Sequence, residues 1–354
     1  MKAVIIAGGS GTRLRPLTYN TPKPMVPLFG KPFLQYQIEL LKRHGVNEII
    51  INLHYLSGVI REYFGDGSEL GVKIHYSLEE KPLGTAGAVK LAEEYFDDEP
   101  LVVFNGDILT DLDLSALLAA HRENKARATI TMIRVSDPTS YGLIFTEEDG
   151  RVTRFVEKPS WDEATVDTVN AGIYVLDPSV FRYVPRNEAY SFERGLFPLL
   201  LQLNEKVFGH TTNAYWLDIG SPQKYLQAHT DILMDRVQVE LPAERREGNV
   251  WVGQNVDIDP SAEIRGPVYL GDGAKVRKRA RLREFTILGP GVTVDDKAVL
   301  EHVLVGEGSE IGEEAHLSKC IIGQRCRVGA SAVLNSNSVL ADESVIGRGT
   351  RLGH

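Results

Sequence analysis

The first residues of the chain have the types and spacing needed to hold phosphate groups. An apolar stretch, Ala3 to Ile6, is followed after Ala7 by Gly8-Gly9-Ser10-Gly11-Thr12-Arg13. A glycine-rich turn after a strand lets backbone N–H groups approach phosphates closely, and Arg13 adds positive charge. The spacing is neither that of a Walker A loop nor that of the Gly-x-Gly-x-x-Gly dinucleotide fingerprint. The turn therefore predicts a phosphate contact of another kind.

A lysine shortly after this turn is held between two prolines, in Thr21-Pro22-Lys23-Pro24. Each proline restricts its own backbone and that of the residue before it. The lysine is thus presented from a stiff loop, and we expect Lys23 to be a phosphate ligand.

A carboxylate follows one of the buried strands. Asp107, in Asn105-Gly106-Asp107, comes directly after the apolar run Leu101–Phe104. Ligands on open α/β sheets bind beyond the carboxyl ends of the strands, and Mg²⁺ is held by one or two carboxylates together with substrate phosphates. Asp107 is therefore a candidate metal ligand.

Residues 1–235 alternate between apolar runs and amphipathic segments. Such alternation predicts a mainly parallel α/β sheet of the Rossmann-like type. Pro32 is placed to open a helix and Gly45 to close it. The predicted strands are Ala3–Ile6, Ile49–Leu53, Lys73–Tyr76, Leu101–Phe104, Thr129–Val135, Arg151–Phe155 and Ala171–Leu176.

The pattern changes after a polar segment, 236–248, which we interpret as a linker. From 249 to 354 an aliphatic residue recurs every six residues, with two five-residue steps. A hexapeptide period is typical of a parallel β-helix, and three hexapeptides per coil predict about six coils. The pattern resembles the left-handed β-helix of many acyltransferases and sugar nucleotidyltransferases. The aliphatic positions are 252, 258, 264, 270, 276, 282, 288, 294, 300, 305, 311, 317, 322, 328, 334, 340, 346 and 352.

The turn at Gly8–Arg13 and the segment Thr21–Leu28 together resemble the signature of the sugar-phosphate nucleotidyltransferase family. Its members join a sugar 1-phosphate to a nucleoside triphosphate and release pyrophosphate. Further motifs follow in the family's order, among them Glu157-Lys158-Pro159 and Asn170-Ala171-Gly172, so the resemblance spans essentially the whole chain. It implies an enzyme with Mg²⁺ as its only cofactor, held by Asp107 and Asp218.

The resemblance also implies which residues meet each substrate. Arg13, Lys23, Asp107, Lys158 and Asp218 would be the catalytic residues. The nucleotide-binding residues would be Ala7, Gly8, Gly9, Gly11, Thr12, Arg13, Lys23, Glu79, Pro82, Gly84 and Thr85. The residues binding the sugar phosphate would be Gly142, Glu157, Lys158, Asn170 and Gly172.

The base preference depends on Glu79. Thymidylyl and uridylyl members commonly have a glutamine five residues before the glycine at position 84, where this chain has glutamate. A carboxylate only accepts hydrogen bonds, which suits the adjacent N1–H and 2-amino donors of guanine. Pro82 to Gly87 and Ile322 to Gly329 also resemble guanylyltransferase members. The predicted substrates are GTP and mannose 1-phosphate; the alternative within the class is a thymidylyltransferase acting on glucose 1-phosphate.

Two alternatives from other classes remain. A catalytically silent regulatory subunit usually lacks phosphate or metal residues, but all five of the catalytic set are present here. An acyltransferase on the β-helix usually needs a coil histidine and an extended loop. His302 and His316 lie in the coils, but no long insertion interrupts the repeat. The sequence does not distinguish mannose from glucose.

Composition and charge argue against some classes of binding partner. The 354 residues carry a net charge of −9, which argues against nucleic-acid binding because that needs a basic footprint. No apolar run approaches the length of a membrane span. The 2 cysteines have no zinc spacing, and the expected compartment is a reducing cytoplasm. The β-helix is expected to support a homo-oligomer.

Overall fold

The computed structural model describes residues 1–353, which form two compact units. The first comprises Met1–Ser10 and Leu34–Asp218; the second comprises Gly11–Phe33 and the chain from Ile219 onward. Both units are discontinuous in the chain. The sequence-based domains, 1–235 and 249–354 with a linker at 236–248, stay a prediction.

Six α-helices are described: α1 (Phe33–Arg43), α2 (Ser57–Phe64), α3 (Gly84–Leu91), α4 (Leu114–Glu123), α5 (Phe197–Gln202) and α6 (Pro222–Leu233). The strands before residue 219 are β1 (Lys2–Ile6), β2 (Pro27–Leu28), β3 (Lys31–Pro32), β4 (Glu48–Leu53), β5 (Lys73–Leu78), β6 (Leu101–Asn105), β7 (Ile108–Thr110), β8 (Ala128–Arg134), β9 (Gly142–Thr146), β10 (Val152–Glu157), β11 (Thr168–Leu176), β12 (Val207–Thr211) and β13 (Trp216–Asp218).

A 9-stranded sheet organises the first unit, with β10-β9-β11-β6-β1-β4-β5 in order and β8 and β12 attached through β11. The predicted parallel arrangement is confirmed for β6, β1, β4 and β5. Antiparallel pairs of β11 with β6 and β8, and of β9 with β10, extend it into a mixed sheet. The central strands are buried on both faces, as their continuous apolar sequences predict. The carboxyl ends of β1 and β6 therefore lie side by side, where the glycine turn and Asp107 begin.

Helix α1 shows how local signals set an element that the sequence predicts. The helix begins at Phe33, directly after Pro32, and ends at Arg43. Gly45, two residues further on, has a left-handed backbone with φ 77°. Leu34, Ile38 and Leu41 are fully buried on one face.

The second unit contains the predicted β-helix. Its strands are β14 (Glu244–Arg246), β15 (Val250–Val252), β16 (Asp257–Ile258), β17 (Glu263–Ile264), β18 (Val268–Leu270), β19 (Lys275–Val276), β20 (Arg281–Leu282), β21 (Thr286–Leu288), β22 (Thr293–Val294), β23 (Val299–Glu301), β24 (Leu304–Val305), β25 (Glu310–Ile311), β26 (His316–Ser318), β27 (Ile321–Ile322), β28 (Arg327–Val328), β29 (Val333–Leu334), β30 (Val339–Leu340), β31 (Val345–Ile346) and β32 (Arg351–Leu352).

These strands stack into three sheets, and each strand from β15 to β29 pairs in parallel with the strand one coil later. Two of the sheets have 6 strands, and the third has 7 because β14 adds an antiparallel strand from within the predicted linker. Six coils result, as the repeat predicts. The aliphatic residues of the hexapeptides form one continuous core, which confirms the period.

Among residues 1–353, no helix is long and apolar enough to cross a membrane.

Candidate functional site

The turn that carries Asp107 is held against the end of β1. The Gly106 N–H donates to the Ile6 carbonyl oxygen at 2.9 Å. A Cβ atom on Gly106 would lie 2.5 Å from that same oxygen, so a side chain there would push the turn away. The sequence Asn-Gly-Asp thus places Asp107 directly beyond the carboxyl ends of β1 and β6.

Gln37 of α1 holds the same turn from its other side. Its side-chain amide donates to the carbonyl oxygens of Asn105 at 3.0 Å and Ile108 at 2.9 Å. These two residues bracket Gly106 and Asp107, and the Gln37 side chain is buried. Nothing in the sequence marked Gln37, because its partners lie far away along the chain.

Replacing Gln37 with leucine should lower the free energy of unfolding by about 2 kcal/mol, because two buried carbonyl groups lose their donor. Urea denaturation measures this. The matched change Gln202→Leu, on the exposed face of α5, should alter stability by less than about 0.5 kcal/mol. Equal effects of the two changes would show that the Gln37 hydrogen bonds do not stabilise the turn.

The second candidate metal ligand lies beside the first. Strand β13 pairs antiparallel with β7, and Asp218 is directly opposite Ile108, the residue after Asp107. The Tyr141 hydroxyl donates to Asp218 Oδ1 at 3.2 Å, and the Trp216 indole N–H donates to the Ala171 carbonyl at 2.8 Å. Strand β13 therefore joins the two metal candidates to the neighbours of Gly142 and Asn170, two of the residues predicted to bind the sugar phosphate.

Glu157 and Gly142 face each other across the β9–β10 pair. A Cβ atom on Gly142 would lie 2.9 Å from Glu157 Oε2, so the glycine leaves room for this carboxylate. The next residue, Lys158, has a left-handed backbone with φ 51° and donates its N–H to the Tyr141 carbonyl at 3.2 Å. Burial and the nearby Glu193 carboxylate raise the pKa of Glu157.

Asn170 begins a chain of hydrogen bonds that the sequence did not reveal. Its Oδ1 accepts from the Gly172 N–H at 2.9 Å, and its Nδ2 donates to the hydroxyl of Tyr174 at 2.9 Å. That hydroxyl donates to Glu193 Oε1 at 3.1 Å. An amide has two N–H donors and two acceptor lone pairs, so Asn170 keeps one of each for a ligand.

Glu193 is the site residue that sequence reasoning missed. It lies in the single π-helical turn Phe192–Leu196, and such turns are frequent at functional sites. Its Oε2 accepts from the hydroxyls of Ser191 at 2.6 Å and Thr85 at 3.0 Å. It thereby links the predicted sugar site to residues 79–87, which we call the predicted base-reading loop because they include Glu79.

The base-reading loop begins at Glu79, whose side chain is 6% exposed. Glu79 Oε2 accepts from the Leu83 N–H at 2.8 Å. Glu79 Oε1 would lie 2.8 Å from a Cβ atom on Gly8, so the carboxylate reaches the glycine turn after β1. Burial raises the pKa of Glu79, and the Leu83 N–H partly offsets that rise.

Gly84 and Thr85 hold this loop against the segment around Tyr190 and Glu193. Gly84 has φ 69°, and a Cβ atom there would lie 2.8 Å from the Tyr190 carbonyl oxygen. The Thr85 hydroxyl donates to Glu193 and accepts from the Phe192 N–H at 2.9 Å. A nucleotide contact by Thr85 would therefore come from its backbone or methyl group.

The two candidate phosphate-binding stretches of the second unit meet each other. Gly11 has φ 60°, and a Cβ atom there would lie 2.9 Å from Lys23 Cβ. The Thr18 hydroxyl donates to the Gly11 carbonyl at 2.8 Å. Thr12 and Arg13 are exposed in a short 3₁₀ turn, and Lys23 opens a second one after Pro22.

Comparison with known proteins identifies the class. Residues 2–235 match the family described as nucleotidyl transferase, and residues 246–348 match the GMPPB C-terminal domain. The chain belongs to the nucleotidyl transferase family, and its enzyme class is that of the sugar-1-phosphate nucleotidyltransferases.

Individual relatives align over nearly the whole chain. A mannose-1-phosphate guanyltransferase of Debaryomyces hansenii is 36% identical over 98% of this chain and 97% of its own. A UTP–glucose-1-phosphate uridylyltransferase of a Synechocystis strain is 34% identical over 97% of this chain and 92% of its own. The crystal structure of HddC from Yersinia pseudotuberculosis, complexed with GMP-PN, superposes with a TM-score of 0.56 and 32% identity over 65% of this chain and 99% of its own.

Members of this family generally use a divalent metal. Within residues 1–353, no cluster of three or more His, Cys, Asp or Glu side chains is arranged to hold a metal ion. The pair Asp107 and Asp218 nevertheless fits the donor set expected when substrate phosphates supply the remaining oxygen ligands.

Proposed function

We propose that this enzyme transfers the guanylyl group of GTP to mannose 1-phosphate, forming GDP-mannose and pyrophosphate, with Mg²⁺ as its cofactor. The observation that carries the choice of base is the buried Glu79 carboxylate, set between the glycine turn and Leu83. Guanine offers two adjacent donors to a carboxylate, whereas uracil and thymine would set a carbonyl beside it. Relatives named as mannose-1-phosphate guanyltransferases support the sugar.

The reaction needs no nucleophilic side chain. A phosphate oxygen of the sugar 1-phosphate is already ionised near pH 7, because its second pKa is about 6. It forms a bond to the α-phosphorus in line with the bond to pyrophosphate, which breaks. Two polyanions repel each other, so the protein's task is to neutralise charge and to align the reactants.

Each basic residue has its own part in this alignment. Arg13 binds the β- and γ-phosphates of the leaving group, and Lys23 stabilises the charge on the α-phosphate. Lys158 clamps the phosphate of the incoming sugar, while Glu157 and Asn170 accept from and donate to its hydroxyls. Asp107 and Asp218 would hold Mg²⁺, which when bound neutralises charge on both phosphates.

The test is pyrophosphate release from GTP, dTTP, UTP, ATP and CTP, each with mannose 1-phosphate and with glucose 1-phosphate. We expect the highest kcat/KM for GTP with mannose 1-phosphate. A preference for dTTP or UTP with glucose 1-phosphate would keep the reaction and overturn the substrates. Inactivity with every pair would favour a regulatory subunit.

Replacing Glu79 with glutamine should lower kcat/KM for GTP by about 10- to 100-fold, the worth of a bidentate charge-assisted contact. It should leave kcat/KM for UTP unchanged or higher, because an amide can face a carbonyl. The neighbouring Glu80, which is exposed, supplies the control Glu80→Gln. Equal losses for GTP and UTP in Glu79→Gln would mean that Glu79 only supports the loop.

We also propose that the β-helix supports a homo-oligomer, which light scattering would show as a mass above that of one chain.

Cys320 and Cys326 are buried free thiols, and burial raises the pKa of Cys320 to about 12. Unreactive thiols of this kind suit the cytoplasm, which we propose as the compartment.

A further inference from the structure

A cavity inside the second unit belongs to none of the sites described above. Its volume is about 70 Å³, several times the ~10–15 Å³ that one water molecule requires on this measure. The walls come from the segment 17–30, from helix α6 and from one face of the β-helix. The space suits a small ring rather than a nucleotide.

Aromatic rings form much of the wall. The Phe29 ring centroid lies 4.8 Å from that of Tyr269 and 4.9 Å from that of His229, and the Tyr225 ring lies 4.8 Å from His229. The Tyr225 hydroxyl donates to the Pro27 carbonyl, and the Tyr269 hydroxyl donates to the Phe29 carbonyl at 3.2 Å. Both tyrosine hydroxyl groups therefore donate their protons to the backbone of the cavity wall and cannot donate them to a ligand.

His229 adds no positive charge to the wall of the cavity. Its Nδ1 lies 2.9 Å from the Tyr225 carbonyl oxygen, and a carbonyl can only accept, so Nδ1 carries the proton. Nε2 therefore presents a lone pair, and it has no hydrogen-bond partner among the described residues. Burial lowers the pKa of His229 to about 4, so the ring is neutral near pH 7. Nε2 is also fully enclosed by the protein, so the ring lines the cavity as an uncharged aromatic group.

The charges around the cavity have one sign. Glu307 and Asp342 are among its lining residues, and no lysine or arginine of the described chain is. Burial, and after it the Asp342 carboxylate, raise the pKa of Tyr225. An anion would meet carboxylates and aromatic faces, so neither the nucleotide nor the sugar phosphate fits here.

We propose that this cavity is a binding site for a small organic cation, a primary amine carried on one aromatic or aliphatic ring. The ring packs among Phe29, Tyr225 and Tyr269, and the ammonium group interacts with Asp342 and Glu307. Aromatic faces attract such cations, and an ammonium group has three N–H donors and no acceptor.

Occupancy of the cavity should also affect catalysis, a part of the inference that rests on the proposed function. Thr21 and Val26, on either side of Lys23 in the chain, both line the cavity. A ligand that packs against them biases the position of the lysine that we assign to the α-phosphate. The expected effect is a change in KM for the nucleotide with KM for the sugar phosphate unaltered.

Three probes with the same ring test the site: benzylamine, benzyl alcohol and benzoate, titrated by calorimetry into the full chain without substrates. We expect benzylamine to bind about tenfold more tightly than benzyl alcohol and benzoate not to bind. Asp342→Asn should remove the preference for the amine. Asp296→Asn should keep it, because Asp296 accepts a backbone N–H as Asp342 does but does not line the cavity.

Nitrogen chemical shifts of labelled histidine give a second measurement. Binding of benzylamine beside the His229 ring should move the ring-nitrogen signals of this residue, which are identified by their loss in His229→Phe. Benzoate binding as tightly as benzylamine, no saturable benzylamine binding, or an amine preference unchanged in Asp342→Asn would each overturn the site. Binding with an unaltered nucleotide KM would overturn its effect on catalysis alone. Because these titrations use no substrate, their outcome is independent of the proposed reaction.

Discussion

Replacing Asp107 with alanine should lower kcat by about a thousandfold or more at saturating substrates and Mg²⁺. The variant would lose one of the two protein carboxylates that we assign to the metal, and with it much of the charge stabilisation in the transition state. The backbone of the turn should stay in place, because the Gly106 N–H and the Gln37 amide hold it independently of the Asp107 side chain. Steady-state pyrophosphate release measures kcat, and circular dichroism checks the fold.

Two further measurements make this expectation specific to the metal. Paramagnetic resonance of Mn²⁺ with GTP present should show weaker metal binding in Asp107→Ala than in the parent chain. Asp98, exposed before β6, supplies the control Asp98→Ala, which should behave as the parent does. Near-normal turnover in Asp107→Ala, with unaltered Mn²⁺ affinity, would remove this residue from the metal site.

Replacing Lys158 with alanine should raise KM for the sugar 1-phosphate by about 10- to 100-fold and KM for GTP by less than about threefold. A charge-assisted hydrogen bond to phosphate is worth roughly 1.5–3 kcal/mol, which gives that range. The backbone at Lys158 has φ 51°. Alanine carries the same left-handed conformation at a similar cost as lysine, so the change reports on the ammonium group.

The chain contains a close control for this change. Lys125 is also a lysine with a left-handed backbone, φ 47°, and it is exposed in the turn after α4. Lys125→Ala should leave both KM values unaltered. If Lys158→Ala raised the two KM values equally, Lys158 would be a general electrostatic contributor and not the clamp on the sugar phosphate.

Local patterns predicted a large part of the fold. The hexapeptide period was sufficient for the β-helix because each coil repeats the same contacts with its neighbour. Every aliphatic residue of the period therefore reaches one core, from Val252 to Leu352. Buried strands such as β4 and β6 were equally visible as continuous apolar runs. The sequence also predicted strands at β8, β10 and β11, but not their antiparallel pairing, because pairing direction depends on how the chain returns between strands.

The candidate site divides in the same way. Asp107 and Lys158 belong to short motifs whose local geometry depends on residues next to them in the chain. Asp107 follows a glycine turn, and Lys158 has a left-handed backbone. Glu193 and Gln37 stand in no such motif. Glu193 accepts hydrogen bonds from Tyr174 and Thr85. Gln37 donates to the carbonyl groups of Asn105 and Ile108. Most of these partners lie far away along the chain, and no fixed sequence spacing predicts such contacts.

By itself, the sequence determined the class of enzyme and the repeat of the β-helix, and it predicted the motifs that would bring charge to the phosphates. Each of these depends on residues close together in the chain. Only the tertiary structure decided that Glu79 is buried against the glycine turn and that Glu193 joins the predicted sugar and base sites. It also decided that the segment with Arg13 and Lys23 belongs to the same compact unit as the β-helix. Those arrangements depend on packing between distant segments, which is settled when the whole chain buries its apolar surface together.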